Sequence, residues 1–171
     1  GGANDVDGGA GNDVIVVGGG ADVVDGGTGD DTLTTAAGDD SITLGDGDDT
    51  VSAGADDDII YAAGTGTDTL NGGTGNDTAD YTGAAGIVAS FTDKDTQTVI
   101  TNGETDSLND IESIIGTASD DNFVLDSTIL DALEADGHIY DGAGGTTDTV
   151  KINGTLDFEA SKIAALFKNI E

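Results

Sequence analysis

The sequence contains no cysteine and no proline, and its only basic side chains are four lysines and one histidine. Without cysteine, disulfide bonds cannot hold the fold together, and thiols say nothing about the compartment. No apolar run approaches the roughly 20 residues of a membrane-spanning helix, and no signal-peptide pattern opens the chain. The net charge is −31, so nucleic acid is not expected as a partner, because its phosphates would be repelled.

The negative charge is carried almost entirely by aspartate, with 30 aspartates against five glutamates, all five beyond residue 100. Such acidity usually indicates disorder, but these aspartates keep a regular spacing, which a disordered tail has no reason to do. The shorter carboxylate suits tight turns and metal-binding loops. A compact state with this charge repels itself unless something cationic neutralises it.

The aspartates recur at a nine-residue step. Asp13 is followed by Asp22, Asp31, Asp40, Asp49 and Asp58, and then, after one extra residue, by Asp68 and Asp77. Two residues after each of them, and after Asn4, stands an apolar side chain: Val6, Ile15, Val24, Leu33, Ile42, Val51, Ile60, Leu70 and Ala79. Each unit is a glycine-rich turn and a short strand whose middle residue points inward. We therefore expect two units per coil of a flattened parallel β-solenoid, with paired strands 18 residues apart.

The units resemble the nonapeptides of the repeats-in-toxin (RTX) family, also called haemolysin-type calcium-binding repeats. The nearest matches are GGAGNDVIV (8–16), GGTGDDTLT (26–34) and GGTGNDTAD (72–80). The resemblance covers residues 1–80 and is looser beyond. It implies an all-β fold, a parallel β-roll with calcium between stacked turns, in which each turn-ending aspartate bridges ions above and below.

Carried onto this sequence, the resemblance assigns metal binding to aspartates and to turn glycines. The aspartates are Asp13, Asp22, Asp31, Asp40, Asp49, Asp58, Asp68 and Asp77. The glycines, which would lend carbonyls or the required backbone angles, are Gly8, Gly9, Gly11, Gly26, Gly27, Gly29, Gly45, Gly47, Gly72, Gly73 and Gly75.

Energetic considerations also favour a bound metal. One inward aliphatic per unit contributes about 1.5–3 kcal/mol on burial, whereas ordering each residue costs about 1–2 kcal/mol. Binding of several calcium ions would supply the missing folding free energy, because calcium accepts about six to eight oxygens, including backbone carbonyls. Magnesium is more strictly octahedral, transition metals prefer histidine or thiolate, and His138 alone is more typical of a surface residue. Folding is therefore expected to require calcium.

Beyond Asp80 the nine-residue step breaks, and we expect residues 81–171 to continue the solenoid with wider coils. Strands are predicted over Gly86–Thr92 and Thr96–Thr101. The tract 110–125 resembles the spacer units of RTX arrays, and its Asp121 is predicted to be a further ligand, in a pattern shared with the turn around Asp148. Apolar stripes predict short helices over Ser127–Ala135 and Glu159–Asn169.

No enzyme motif is present: the sequence lacks HExxH, GxSxG, a phosphate-binding loop and a cysteine nucleophile. The favoured interpretation is a calcium-binding segment of a large extracellular or cell-surface protein, of the surface-layer or adhesin type, in contact with neighbouring copies or flanking solenoid. The chain opens on Gly-Gly in mid-pattern, which predicts a piece of something longer. The alternative is the export and folding module of an RTX protease, lipase or toxin. Ice binding is a third idea, but the outward threonine rows are irregular.

Overall fold

A computed structural model describes residues 1–91, 93, 95–126, 139–144, 148–153 and 167–168. Every regular element in these ranges is a β-strand. The strands of the first half are β1 (Asp5–Asp7), β2 (Val14–Val16), β3 (Val23–Thr28), β4 (Thr32–Ala37), β5 (Ser41–Asp46), β6 (Thr50–Ala55), β7 (Ile59–Tyr61), β8 (Thr69–Thr74) and β9 (Thr78–Asp80). Those of the second half are β10 (Val88–Phe91), β11 (Thr96–Thr101), β12 (Glu104–Asn109), β13 (Ser113–Ile115), β14 (Asn122–Asp126), β15 (Ile139–Asp141), β16 (Thr149–Asn153) and β17 (Phe167–Lys168).

The strands form two sheets, and successive strands of the first half of the chain lie alternately in one sheet and the other. The first sheet has eight strands in the order β1-β3-β5-β7-β9-β13-β15-β17. The second sheet has nine, in the order β16-β14-β10-β11-β12-β8-β6-β4-β2. Val24 pairs in parallel with Ile42, and Leu33 with Val51, so paired strands of the regular coils lie 18 residues apart. The predicted parallel β-roll with two units per coil is confirmed.

The predicted inward residues line the interior between the sheets. Eight of them are buried: Ile15, Val24, Leu33, Ile42, Val51, Ile60, Leu70 and Ala79. Val6, in the first coil, is half-buried and packs against the others. The core also holds a second inward position that the sequence analysis missed, four residues after each aspartate. Leu44, Ala53 and Ala62 occupy it, because strand alternation returns every second side chain to the same face.

The outward side chains lie as predicted and do not form a uniform row. Thr32, Thr50 and Ser52 are exposed on the second sheet. On the same sheet Val14 and Val16 are 76% and 71% exposed. Because apolar side chains interrupt the threonines, this face lacks the repeated hydroxyl row that the ice-binding idea requires.

The second half departs from simple parallel coiling. Strand β11 runs antiparallel to both β10 and β12, and Thr101 pairs with Glu104 across the two-residue turn Asn102-Gly103. Both turn residues have positive φ, 53° and 88°, the backbone of a tight hairpin. The two predicted strands are present, but the antiparallel pairing was not predicted.

This hairpin gives the two sheets different numbers of strands at the same level. In the first sheet β9 pairs directly with β13. In the second sheet β12, β11 and β10 stand between β8 and β14. The interior here contains aromatic rings: Phe91 and Tyr140 lie 4.5 Å apart between ring centroids, and Phe123 and Phe167 lie 5.7 Å apart.

One predicted helix is wrong in part. Phe167–Lys168 form strand β17, where Phe167 pairs with Tyr140 of β15. The Phe167 ring is buried in the aromatic cluster, so it faces the core from a strand. The rest of the segment 159–169, the helix predicted over 127–135 and His138 lie outside the described residues. No helix among the described residues is long and apolar enough to cross a membrane.

Candidate calcium-binding turns

The predicted ligand aspartates, here called the ladder aspartates, fall on two edges of the solenoid. The turns that lead into the second sheet carry Asp13, Asp31, Asp49 and Asp68 and form the first edge. The turns that lead into the first sheet carry Asp22, Asp40, Asp58 and Asp77 and form the second edge. Each carboxylate stands just before a strand, so parallel pairing stacks the carboxylates of one edge coil upon coil.

In seven of the eight ladder aspartates, one carboxylate oxygen accepts a hydrogen bond from the coil before it. Oδ1 of Asp31 accepts a hydrogen bond from the backbone N–H of Asp13 at 2.7 Å, and Oδ1 of Asp40 accepts one from Asp22 at 2.7 Å. The same bond, 2.7–2.9 Å long, repeats for Asp22, Asp49, Asp58, Asp68 and Asp77. The ladder aspartates thereby connect successive coils and keep the second oxygen for another partner.

The second oxygen has no hydrogen-bond partner in seven of the eight. These atoms are Oδ2 of Asp13, Asp22, Asp31, Asp40, Asp49, Asp58 and Asp77, and all seven are buried. A buried carboxylate oxygen without a donor or cation is strongly destabilising. Since the described residues offer these atoms no donor, they fit a metal ion that prefers oxygen ligands.

The turn glycines leave room beside these oxygens. A Cβ added at Gly26 would lie 2.8 Å from Oδ2 of Asp31, and one at Gly72 would lie 2.5 Å from Oδ2 of Asp77. In these turns no room is left for a side chain next to the carboxylate, although the φ of the glycine is not in the left-handed region. Gly8 has the same relation to Asp13, at 3.1 Å. Other turns place an apolar residue at this position, such as Leu44 before Asp49.

The other predicted glycines meet a different requirement. Gly9, Gly11, Gly27, Gly29, Gly45, Gly47, Gly73 and Gly75 all have positive φ. At Gly27, with φ of 100°, an added Cβ would also fall on the carbonyl oxygen of Gly9 in the preceding coil. Turn-to-turn hydrogen bonds, such as Gly11 N–H to Thr28 O at 2.8 Å, hold the turns this close.

Four of the ladder aspartates have a raised pKa when no cation is bound. Burial, with additional repulsion from neighbouring aspartates, raises the pKa of Asp49 and of Asp58 to about 6. The same causes raise the pKa of Asp68 and of Asp77 to about 7. Each edge thus holds two carboxylates, Asp49 and Asp68 on the first and Asp58 and Asp77 on the second, whose charged form needs compensation near neutral pH.

Two carboxylates that the sequence analysis missed extend the rows. Asp106 Oδ1 accepts the backbone N–H of Asp68 at 3.0 Å, and Glu112 Oε2 accepts that of Asp77 at 2.8 Å. A sequence signal existed, because each stands two residues before a buried apolar side chain, Leu108 and Ile114. The nine-residue search did not find this signal, because the hairpin and the residues beside it shift Asp106 and Glu112 off the regular spacing.

Asp121 continues the stacking of carboxylates, but it differs from the seven ladder aspartates whose Oδ2 has no hydrogen-bond partner. Its backbone N–H donates to Asp148 Oδ1 at 2.8 Å, and its own Oδ1 accepts from Ile87 at 2.8 Å. Its Oδ2 accepts the N–H of Thr117 at 2.7 Å. Both oxygens of Asp121 are therefore satisfied by protein donors.

Across the ranges that the structure describes, no three side chains of His, Cys, Asp and Glu converge on one point. Stacked turns would instead supply one or two carboxylates per ion and complete the shell with backbone carbonyls, as calcium allows.

Comparison with known families agrees with this geometry. A family model described as the RTX calcium-binding nonapeptide repeat matches residues 1–33, 25–60 and 62–80, in four copies. None of the curated proteins compared with the chain matches it. The matched region ends at Asp80, where the regular nine-residue step also ends.

Proposed function

Because residues 1–80 belong to the RTX calcium-binding nonapeptide repeat family, we propose that the chain is a calcium-folded β-roll segment of a large secreted or cell-surface protein of structural or adhesive type. Several ions would lie along both edges of the roll. The observation that carries the proposal is the set of seven buried carboxylate oxygens that lack a donor.

The proposed carboxylate ligands are the seven ladder aspartates that hold these oxygens: Asp13, Asp22, Asp31, Asp40, Asp49, Asp58 and Asp77. The glycine turns that lead to them would supply carbonyl oxygens. Asp68 is buried and bonded like the others, but it is not among the seven. Asp121 is left out, because Thr117 already satisfies its second oxygen.

Calcium fits these turns better than the alternatives. The donor set consists of carboxylates and peptide carbonyls, with no described histidine or thiolate, and hard oxygen donors favour calcium or magnesium. Coils stacked at about 4.8 Å fix the spacing of the oxygens, which suits the more irregular coordination of calcium.

Folding and metal binding are coupled in this proposal. Without a cation, the edges hold like charges in buried positions, so the folded state is unfavourable near neutral pH. A bound divalent ion neutralises this charge and stabilises only the folded chain. The chain would then be unfolded at low cytosolic calcium and folded at extracellular calcium, which supports a site of action outside the cell.

A calcium titration followed by circular dichroism tests this coupling. The expected result is little β-signal in chelator and a cooperative gain on adding calcium. Asp40→Asn removes one proposed ligand and should raise the calcium midpoint by about tenfold, equivalent to about 1.4 kcal/mol. Asp39→Asn is the matched control, because Asp39 is the exposed neighbour and should shift the midpoint by no more than about twofold. A full β-signal in chelator, or equal shifts in both variants, would contradict the proposal.

We further propose that residues 1–80 are the calcium-binding roll and residues 81–171 a degenerate continuation of it. Limited proteolysis at stepwise calcium concentrations tests the division, because protection of residues 1–80 is expected to depend on calcium more strongly than that of residues 81–171.

The alternative, an export and folding module of an RTX protease, lipase or toxin, predicts a catalytic domain in the flanking sequence of the gene. Surface labelling of the producing cells tests the proposed location.

A further inference from the structure

Tyr81 places a buried hydroxyl on the first edge. It follows β9 and takes the first position of the turn, which is Gly8, Gly26, Leu44 and Ala62 in the earlier coils of this edge. The two glycines leave space beside a carboxylate oxygen, Leu44 and Ala62 bury apolar side chains, and Tyr81 buries a ring that carries a polar group. Its hydroxyl donates a hydrogen bond to Oδ2 of Asp106 at 3.0 Å.

Asp106 is the next carboxylate of the first edge after Asp68. It is 1% exposed, and its Oδ1 accepts the N–H of Asp68 in the same way that Asp31 accepts the N–H of Asp13. The two carboxylates differ at the other oxygen. Oδ2 of Asp31 has no hydrogen-bond donor, whereas Oδ2 of Asp106 has the phenol of Tyr81.

The next positions along this edge carry no ladder carboxylate. Strand β11 ends at Thr101, whose hydroxyl donates to the carbonyl of Ala85 at 3.3 Å. In the turn before β10, the backbone N–H that would belong to an aspartate belongs to buried Ile87. The stacking resumes at Asp121, where Thr117 donates to the second oxygen.

We propose, resting on the function proposed above, that the hydroxyl of Tyr81 takes the place of a cation at Asp106, so that this coil closes without calcium and ends the metal row of the first edge. Tyr81 is a positioning residue here: it neutralises no charge, but it satisfies the oxygen that otherwise demands an ion. The contact between β8 and β12 is then held by protein donors alone, and the hairpin joins the roll without a metal bridge.

Counting bound calcium on the full chain at saturating metal, by equilibrium dialysis and elemental analysis, tests this proposal. Asp31→Asn is expected to lose at least one ion relative to the unaltered chain. Asp106→Asn is expected to keep the unaltered count, although its folded state is less stable. Loss of an ion in both variants would overturn the inference and leave the proposed function standing. Loss in neither would overturn the proposed function instead.

Tyr81→Phe gives a second measurement that does not depend on the folding of Asp106→Asn. It leaves Oδ2 of Asp106 without a donor, so the thermal midpoint in saturating calcium is expected to fall by several degrees. The ion count is expected to stay the same or to rise by one. Tyr61→Phe, on an exposed side chain, is the control and should change neither quantity. A lost ion in Tyr81→Phe, or an unchanged midpoint, would show that the hydroxyl does not have this role.

Discussion

At the scale of single residues, the two oxygens of a ladder aspartate such as Asp49 have different roles. Oδ1 accepts a hydrogen bond from the backbone of the neighbouring coil, and Oδ2 is buried without a hydrogen-bond partner. Glutamate is longer by one methylene, which would move its carboxylate out of the position where one oxygen bonds the neighbouring coil and the other stays free. The preference for aspartate that is visible in the composition thus has a geometric cause.

Gly9 and Gly27 occupy the same turn position in successive coils of the first edge, which separates two effects of a side chain. Both have positive φ, 88° and 100°, so Gly9→Ala should cost about 1 kcal/mol of backbone strain. An added Cβ at Gly9 meets nothing, whereas at Gly27 it meets the carbonyl of Gly9. Gly27→Ala should therefore cost several times more, measured as the free energy of unfolding in saturating calcium. Equal costs would mean that the close approach of the turns is not tight.

At the scale of elements, the hairpin β11–β12 packs a conventional apolar face. Leu108 of β12 is fully buried, whereas Ile100 of β11 is 40% exposed. Leu108→Ala should lower the free energy of unfolding by about 2–5 kcal/mol, and Ile100→Ala should lower it by much less. Denaturant unfolding in saturating calcium measures both, and similar losses would contradict the buried position of Leu108.

The regular strands could be predicted from sequence because every rule agreed on them. The nine-residue step, the inward apolar side chain and the turn glycines all fix the same register, as for Val24 against Ile42. The second half lacks this redundancy. The Asn102-Gly103 pair is itself a hairpin signal that the broken repeat obscured, and the apolar spacing that suggested a helix around Phe167 is ambiguous for a strand of two residues.

The predicted ligands show the same limit at the site. The positions of the ladder aspartates follow from spacing, but which oxygens lack a donor does not. Asp121 fits the sequence pattern, yet Thr117 satisfies it from four residues away. Asp106 meets Tyr81, 25 positions earlier in the chain, only because the hairpin returns β12 to the edge where Tyr81 lies. Such contacts depend on tertiary packing, which repeat spacing cannot encode.

At the scale of the whole molecule, proton and calcium binding compete for the same carboxylates. The pKa of Asp49 and of Asp58 is raised to about 6, and that of Asp68 and of Asp77 to about 7, from 3.8. A raised pKa in the folded state means that the metal-free fold binds protons more tightly than the unfolded chain. Its stability is therefore greatest below about pH 4 and is lost as the pH rises towards 7.

In calcium the dependence on pH should reverse. Ions bound by Asp49, Asp58 and Asp77 must displace the protons of these carboxylates, so the calcium midpoint is expected to fall as the pH rises from 5 to 8. Calorimetry in buffers of different ionisation enthalpy should show proton release on binding near pH 6. A midpoint that does not change with pH would indicate that calcium does not bind the carboxylates whose pKa is raised.

The unequal strand count around the hairpin has a geometric consequence for any longer array. Two extra strands on one side add about 10 Å to that wall, while β9 and β13 on the opposite wall remain adjacent. The insertion should therefore act as a wedge and tilt the axis of the following coils towards the shorter wall. Repeated insertions of this kind would bend a straight rod into an arc, with a curvature set by how often they occur.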